Sequence, residues 1–422
     1  VYDGIDMRIY INGVLDAATP LTKSDPIDFS SRQVHLGTLE GEVNHDFDGI
    51  MDDVRILNTA SVPGALPPPP PRGAGLFFED ITELAGTADP QDGGHGVMFA
   101  EVDNDSDVDY YLTNNNGDVP GSRADLFYDN TNGLVFAEIA AARGIDDVDG
   151  GTNGAVWADL DNDGDFDLVN GTRWDITPPS FGGSPTNDNV YENLGPATPG
   201  FFTENTSPDI QNTVIENRAV TAFDMDGDGD LDIYAKGGLL AVSNAAYLNN
   251  GAFAFSSHTG GDLATAPVIE GVTDTDYDGD GDIDILAANR EGEIIILDND
   301  GTGNFTLVSA AALGIVDNAG DSITSGDVDN DGDLDLLLVG GGSATLYERR
   351  TSSGLYELHQ SFRNINGFMG GFADLDNDGD LDIVFSGDEK IFVNDGTGRF
   401  TSGQSVPIEG IDDPRAIAFA DI

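Results

Sequence analysis

The sequence predicts an all-β fold built from repeated four-stranded units, and three observations carry that prediction. An acidic nonapeptide, Asp-x-Asp-x-Asp-Gly-Asp-x-Asp, recurs six times, beginning at Glu101, Asp159, Asp224, Asp276, Asp327 and Asp374, with a seventh opening at Asp421. Successive starts lie 58, 65, 52, 51, 47 and 47 residues apart, the spacing of a repeat architecture. Each copy is bordered by short runs of β-formers, with little helical periodicity between copies.

A unit opens with a short strand of small and apolar residues, as at 96–100, 155–158, 371–373 and 416–420. The nonapeptide follows, and its ninth residue runs directly into a second strand: Leu168-Val169, Ile233-Tyr234, Ile285-Leu286, Leu336-Leu337-Leu338 and Ile383-Val384-Phe385. A polar turn, a third strand and a hairpin complete the unit. The hairpin is clearest in IIILDNDGTGNFTLV at 294–308 and KIFVNDGTGRFTS at 390–402, where a glycine-rich turn separates two alternating runs. Four short strands per unit are what a propeller blade requires.

The nonapeptide reads as a calcium loop. A hard dication takes six to eight oxygen ligands at about 2.3–2.6 Å, which alternate carboxylates in a tight turn can supply. The candidate ligands are Glu101, Asp103, Asp105, Asp107 and Asp109 in the first copy and Asp159, Asp161, Asp163, Asp165 and Asp167 in the second. The third and fourth copies offer Asp224, Asp226, Asp228, Asp230, Asp232, Asp276, Asp278, Asp280, Asp282 and Asp284. The fifth and sixth offer Asp327, Asp329, Asp331, Asp333, Asp335, Asp374, Asp376, Asp378, Asp380 and Asp382. In the last copy the side chains of Asp374, Asp376, Asp378 and Asp382 are assigned as ligands, with Asp380 giving its backbone carbonyl while its side chain faces water. Glycine at the sixth position permits the positive φ of a sharp reversal. The first copy departs from the pattern, with Glu101 for the first Asp and Ser106 for the Gly.

The loop is no EF-hand, because strands rather than helices flank it and no Glu stands at position twelve. Without metal, the gathered carboxylates repel by roughly 1 kcal/mol per close pair even at the dielectric of water. Calcium is therefore expected to act as a folding cofactor, about one ion per complete loop. The competing reading, that these are only Asp/Asn/Gly turns, does not account for six phased copies.

The segments GFADLDNDGDLDIVFSG and AVWADLDNDGDFDLVNG resemble the FG-GAP/VCBS repeat, over a stretch from about residue 75 to the end. The resemblance implies a seven-bladed β-propeller with calcium between the first two strands of each blade, as in propellers of the integrin-α type and related fungal lectins. The family says little about ligand, because adhesins, lectins, lyase-associated modules and lipid-modifying enzymes share the repeat. GLFFEDIT at 75–82 matches the outer strand that ends a repeat, and is expected to close the ring on a last blade whose innermost strand is 416–421. That count leads to the expectation of a truncated last blade, in a segment of a longer protein.

Residues 1–60 contain YDGIDMRIYINGVLDA, with an Asn12-Gly13 hairpin signal, then VHLGT and FDGIMDDVRILNTA. These resemble the C-terminal part of a laminin-G-like, concanavalin-A-type jelly roll, implying a partial β-sandwich. Residues 61–74, with five prolines at 67–71, read as a polyproline II linker to the propeller at 75–422. A docking site for a proline-reading domain is the alternative.

The chain carries 77 acidic and 17 basic residues, a formal charge of −60. Thirty of the acids lie in the six nonapeptides, so six calcium ions still leave about −48. Nucleic acid is excluded as a partner on this balance, since phosphate contacts need basic groups. No cysteine is present, and no apolar run approaches the roughly 18 residues that span a bilayer. Millimolar calcium outside cells suits loops of this kind, which points to a secreted or cell-surface location.

The five histidines, His35, His45, His95, His258 and His359, show no metal-binding or triad spacing. His95, just before an inner strand, reads as a hydrogen-bonded histidine. After its loop the second repeat carries an insertion, residues 170–188, in which Arg173, Trp174 and Phe181 offer a cation and two aromatic faces to a sugar or peptide. Packing of Trp174 over the blade edge is the alternative. Asn104, Asn170, Asn205 and Asn304 head N-x-Ser/Thr sequons.

The function expected is a non-catalytic adhesion or recognition segment that binds an extracellular glycan or protein. An accessory or catalytic propeller of a carbohydrate-active enzyme is the first alternative. A self-assembling subunit of an extracellular filament or sheath is the second.

Overall fold

The computed structural model describes four short strands within residues 6–22 and, apart from intervening segments of which 176–187 is the longest, residues 82–420. Two compact units are present, Val1–Gly75 and Leu76–Ile422. The first holds β1 (Asp6–Met7), β2 (Tyr10–Ile11), β3 (Val14–Leu15) and β4 (Leu21–Thr22), with β1 paired to β4 and β2 to β3. Tyr10 opposite Leu15 and Ile11 opposite Val14 leave two residues, Asn12 and Gly13, between the strands, as a two-residue hairpin requires. The rest of the expected jelly roll and the proline run at 67–71 lie outside the described residues.

The second unit is a β-propeller. Blade one is β5 (Gly94–Ala100), β6 (Asp109–Asn114), β7 (Leu126–Asn130) and β8 (Phe136–Glu138). Blade two is β9 (Gly150–Ala158), β10 (Asp167–Asp175), β11 (Asn189–Asn193) and β12 (Phe202–Glu204). Blade three is β13 (Asn217–Phe223), β14 (Asp232–Gly237), β15 (Ala245–Asn249) and β16 (Phe255–His258). Blade four is β17 (Gly271–Thr275), β18 (Asp284–Ala288), β19 (Ile294–Asn299) and β20 (Phe305–Ser309). Blade five is β21 (Ser322–Gly326), β22 (Asp335–Gly340), β23 (Ser343–Arg350) and β24 (Leu355–Arg363). Blade six is β25 (Gly370–Ala373), β26 (Asp382–Phe385), β27 (Lys390–Asn394) and β28 (Phe400–Ser405). Every blade is an antiparallel meander in chain order, and each acidic loop joins its first two strands.

Seven blades, the last truncated, were expected, and six are present among the described residues. Residues 416–420 lie against β25, with the Phe419 ring next to Gly371, and they pair with no strand among the described residues. The outer strand expected at 75–82 lies outside the described residues except for Thr82, which begins a one-turn helix, α1 (Thr82–Ala85). Ala85 of that helix packs with Leu126, Tyr128 and Phe136 of blade one.

The second strand of a blade reads as a continuous apolar run because both of its faces are covered. Successive side chains point to opposite faces, so Leu336 and Leu338 enter the core shared with blade four while Leu337 and Val339 enter the core shared with blade six. Ile285 and Ala287 likewise face blade three while Leu286 faces blade five. Near the axis, hydroxyls tie one inner strand to the next: Thr273 donates to the Ile323 carbonyl at 2.8 Å and Thr324 to that of Gly370 at 2.9 Å.

Candidate metal centres

Each loop is folded by its own carboxylates. The first-position side chain accepts the N–H groups of positions five and six, as Asp159 does from Asp163 at 3.1 Å and Gly164 at 3.0 Å. Asp327 and Asp374 repeat the arrangement with Gly332 and Gly379, both at 3.0 Å. Glu101 performs this role in the first copy, accepting from Asp105 at 3.3 Å and from Ser106. The sixth residue has φ between +92° and +101° in the five glycine copies, and Ser106 takes +77°. A second reversal stands at the fourth position, where φ is +56° to +81° in Asn104, Asn162, Gly227, Gly279, Asn330 and Asn377. Only Asn and Gly occur there, the residues that enter the left-handed region at least cost.

The ninth-position Asp is the buried anchor. Asp167 accepts the Leu160 and Asn193 N–H groups, both at 2.8 Å, and Asp232, Asp284 and Asp382 make the same pair of bonds in their blades. Burial pushes these carboxyls up despite the two donors, to about 7 in Asp109, about 8 in Asp167, about 6 in Asp232, about 7 in Asp284 and Asp335, and about 6 in Asp382.

Oxygens of positions one, three and nine converge. In Glu101/Asp103/Asp109, Asp159/Asp161/Asp167, Asp224/Asp226/Asp232 and Asp276/Asp278/Asp284 the three atoms lie within 4.8 Å of one another. In the first blade Asp129 of β7 forms a further group with Asp103 and Asp105. The third-position oxygens Asp103 Oδ1, Asp226 Oδ1 and Asp329 Oδ1 are buried without a hydrogen-bond partner. Such oxygens cost free energy unless something satisfies them. An all-oxygen donor set of this span, with acceptors left over, can hold a hard cation.

The fifth- and seventh-position side chains also take part in hydrogen bonds that shape the loops. Position five accepts the N–H of position seven through one oxygen, as Asp378 does from Asp380 at 3.0 Å, and in the first copy Asp105 belongs to the group with Asp103 and Asp129. The side chain of Asp380, expected to face water, also accepts a hydrogen bond from Asn330 Nδ2 at 2.9 Å at a solvent-exposed position. Asp165 and Asp230 are held similarly, by Asn104 at 2.6 Å and Asn162 at 2.7 Å.

An Asn at the end of the third strand was read only as part of a hairpin turn. Its amide ties two blades together. Asn299 Nδ2 donates to the Met225 carbonyl of loop three at 3.0 Å and to the Ile283 carbonyl of loop four at 3.1 Å. Asn193, Asn249 and Asn394 make the equivalent pairs. In blade five Arg349 stands at that position. Arg143 enters the first loop, 3.1 Å from Asp103 Oδ2, with its guanidinium 4.5 Å from the Phe201 ring centroid.

The candidate recognition residues are only partly described. Arg173 and Trp174 belong to β10, which continues through the start of the expected insertion, so the segment between strands begins after Asp175; Phe181 lies outside the described residues. Asn170 is fully buried, its amide 3.0 Å from the Tyr111 hydroxyl and 3.2 Å from Asp125. His95 Nδ1 lies 3.0 Å from the Asn153 carbonyl, His258 Nε2 2.7 Å from that of Gly303, and His359 Nδ1 2.7 Å from Glu348. No helix among the described residues is long and apolar enough to cross a membrane.

Comparison with known proteins agrees with the repeats. Residues 276–338 and 374–422 match the FG-GAP-like repeat family, and residues 1–64 match the concanavalin A-like lectin/glucanases superfamily. No curated protein matches the chain. Among solved structures, the Vibrio cholerae biofilm matrix protein Bap1 is 14% identical, with a TM-score of 0.38 over 67% of this chain and 42% of that one. The Pseudomonas aeruginosa periplasmic gluconolactonase PpgL is 14% identical, with a TM-score of 0.46 over 80% of this chain and 94% of that one. The six-bladed Aleuria aurantia lectin is 12% identical, with a TM-score of 0.37 over 64% and 79%. At these values the likenesses carry no argument about activity.

Proposed function

We propose that calcium occupies the acidic loops and that the propeller so stabilised is a rigid, non-catalytic recognition module outside the cell. The observation that carries this reading is the convergence of first-, third- and ninth-position carboxylates in successive blades, with buried third-position oxygens left unpartnered. The side chains at positions one, three and nine would hold the ion, with position five near it and the seventh residue contributing its carbonyl. The ion supplies charge neutralisation and a cross-link between the first two strands. The chain's own residues preform the site: the first-position carboxylate gathers the loop N–H groups, the ninth pins the loop to the third strand, and the two positive-φ residues turn the backbone.

Calcium at the concentrations found outside cells would fill such sites, which supports a secreted or surface location. A rigid blade array that spends its carboxylates on metal is suited to presenting a surface, and Arg173, Trp174 and Phe181 remain the residues proposed to meet a glycan or protein.

Thermal unfolding of the chain with excess chelator and with millimolar calcium tests the metal. A melting temperature at least 10 °C higher with calcium is expected, since ligand that binds only the folded state stabilises it. An unchanged melting temperature refutes calcium occupancy. A glycan array with the calcium-loaded protein then tests recognition. Calcium-dependent sugar binding lost in Trp174→Ala supports a lectin-like surface, and a silent array moves the reading to a protein ligand.

A further inference from the structure

Neighbouring loops touch through side chains, in a pattern that differs around the ring. The fourth-position Asn of one loop donates to the seventh-position Asp of the next: Asn104 to Asp165, Asn162 to Asp230 and Asn330 to Asp380. Loop four has Gly279 at position four, and there Arg349 takes over, reaching Asp333 of loop five at 2.7 Å and the Asp278 carbonyl of loop four at 2.6 Å. A Cβ built on Gly279 would have the Arg349 guanidinium as its nearest neighbour, at 3.8 Å, so the arginine fills the space that an Asn side chain occupies elsewhere. Loop three has Gly227 at position four, and among the described residues no side chain crosses from it to Asp282. The Gly301 carbonyl closes that gap instead, 3.0 Å from where a Gly227 Cβ would lie.

We infer that the loops are coupled as two blocks, one-two-three through Asn104 and Asn162 and four-five-six through Arg349 and Asn330, with a weak junction between loops three and four. This inference rests on calcium occupying the loops. The fourth residue sits between the third and fifth positions, so an ion that draws position three inward fixes the left-handed turn that aims the Asn amide. The receiving Asp sits two residues before its own buried anchor, so the bond biases the next loop toward the same closed shape. By linkage the bias is reciprocal: closing either loop favours closure of the other.

Nature provides the clean substitution, because Gly already occupies position four in two loops with the same sign of φ, +75° and +81°. Asn330→Gly therefore removes the amide while leaving a backbone conformation that this fold accepts. Asn377 stands at the same position of loop six with φ +56° and makes no hydrogen bond to a described residue, so Asn377→Gly is the control.

The experiment is hydrogen exchange of the whole chain across a calcium titration, followed loop by loop. In Asn330→Gly, the calcium concentration that half-protects 327–335 and 374–382 is expected to rise roughly fivefold, the lower end of typical coupling. Peptides over 101–109, 159–167 and 224–232 should stay within about twofold, and Asn377→Gly should leave every loop unchanged. An equal shift in all loops, or none in loops five and six, overturns the inference. Asp380→Ala supplies a second route, because combining it with Asn330→Gly should add little to either change alone; full additivity overturns the inference too. Loops that bind calcium independently in the unaltered chain refute the coupling alone, whereas loops with no calcium-dependent protection refute metal occupancy and the coupling together.

Discussion

Asn299 carries the only side-chain tie described between loops three and four, and replacing it by alanine should be costly for reasons that can be worked through bond by bond. The residue is 1% exposed, and its amide donates to two carbonyls, Met225 at 3.0 Å and Ile283 at 3.1 Å. Losing two neutral hydrogen bonds removes about 1 kcal/mol each, and leaving buried carbonyls short of a donor adds about 1 kcal/mol each. Against this, Asn299 Oδ1 is itself buried without a partner, and deleting it recovers on the order of 1 kcal/mol. The balance is a loss of about 3 kcal/mol. Asn299→Asp should be worse, because it keeps the shape while turning an oxygen toward each carbonyl. The backbone N–H of residue 299 still reaches Asp284, so the ninth-position anchor survives both changes. Urea unfolding with calcium present, together with hydrogen exchange at 224–232 and 276–284, measures the effect. A loss below about 0.5 kcal/mol in Asn299→Ala, with unchanged exchange in both loops, would refute the account of these amides as inter-blade ties.

Two further outcomes follow from burial. In the metal-free chain the ninth-position carboxyls titrate at about 6 to 8, above the value near 4 of an unfolded carboxyl. Their contribution to stability is therefore fully present below about pH 4 and is lost as the pH rises through 6 to 8. With chelator the melting temperature should be higher at pH 5 than at pH 8, while the increment on adding calcium should be larger at pH 8, where the metal displaces fewer protons; the reverse order in chelator contradicts the shifts. For modification, secretion from a glycosylating host followed by peptide mass spectrometry should find glycan at the exposed Asn304 and none at Asn170, which is fully buried in β10; glycan at Asn170 would contradict its placement.

The strands and loops were legible because their causes are local. Ile383-Val384-Phe385 follows Asp382 into β26, and IIILDN at 294–299 forms β19 as the alternation and flanking turn imply. The reversal at position six followed from glycine alone. The reversal at position four was just as readable, since Asn or Gly fills it in every copy, but a glycine-centred reading passes over Asn. The 170–188 insertion was misjudged for a different reason: β9 extends back to Gly150, and a long partner strand lets β10 run on to Asp175.

By itself, then, the sequence determined the repeat phase, the position of each acidic loop between two strands, and the oxygen-only chemistry those loops present, because each depends on residues within about ten positions of one another. Tertiary structure alone decided which carboxylates converge on a centre and which of them serve neighbouring loops. The Asn330–Asp380 and Asn299–Met225 bonds join residues 50 and 74 positions apart. Contacts of that separation depend on where the blades come to rest against each other, and no local pattern of side chains records it.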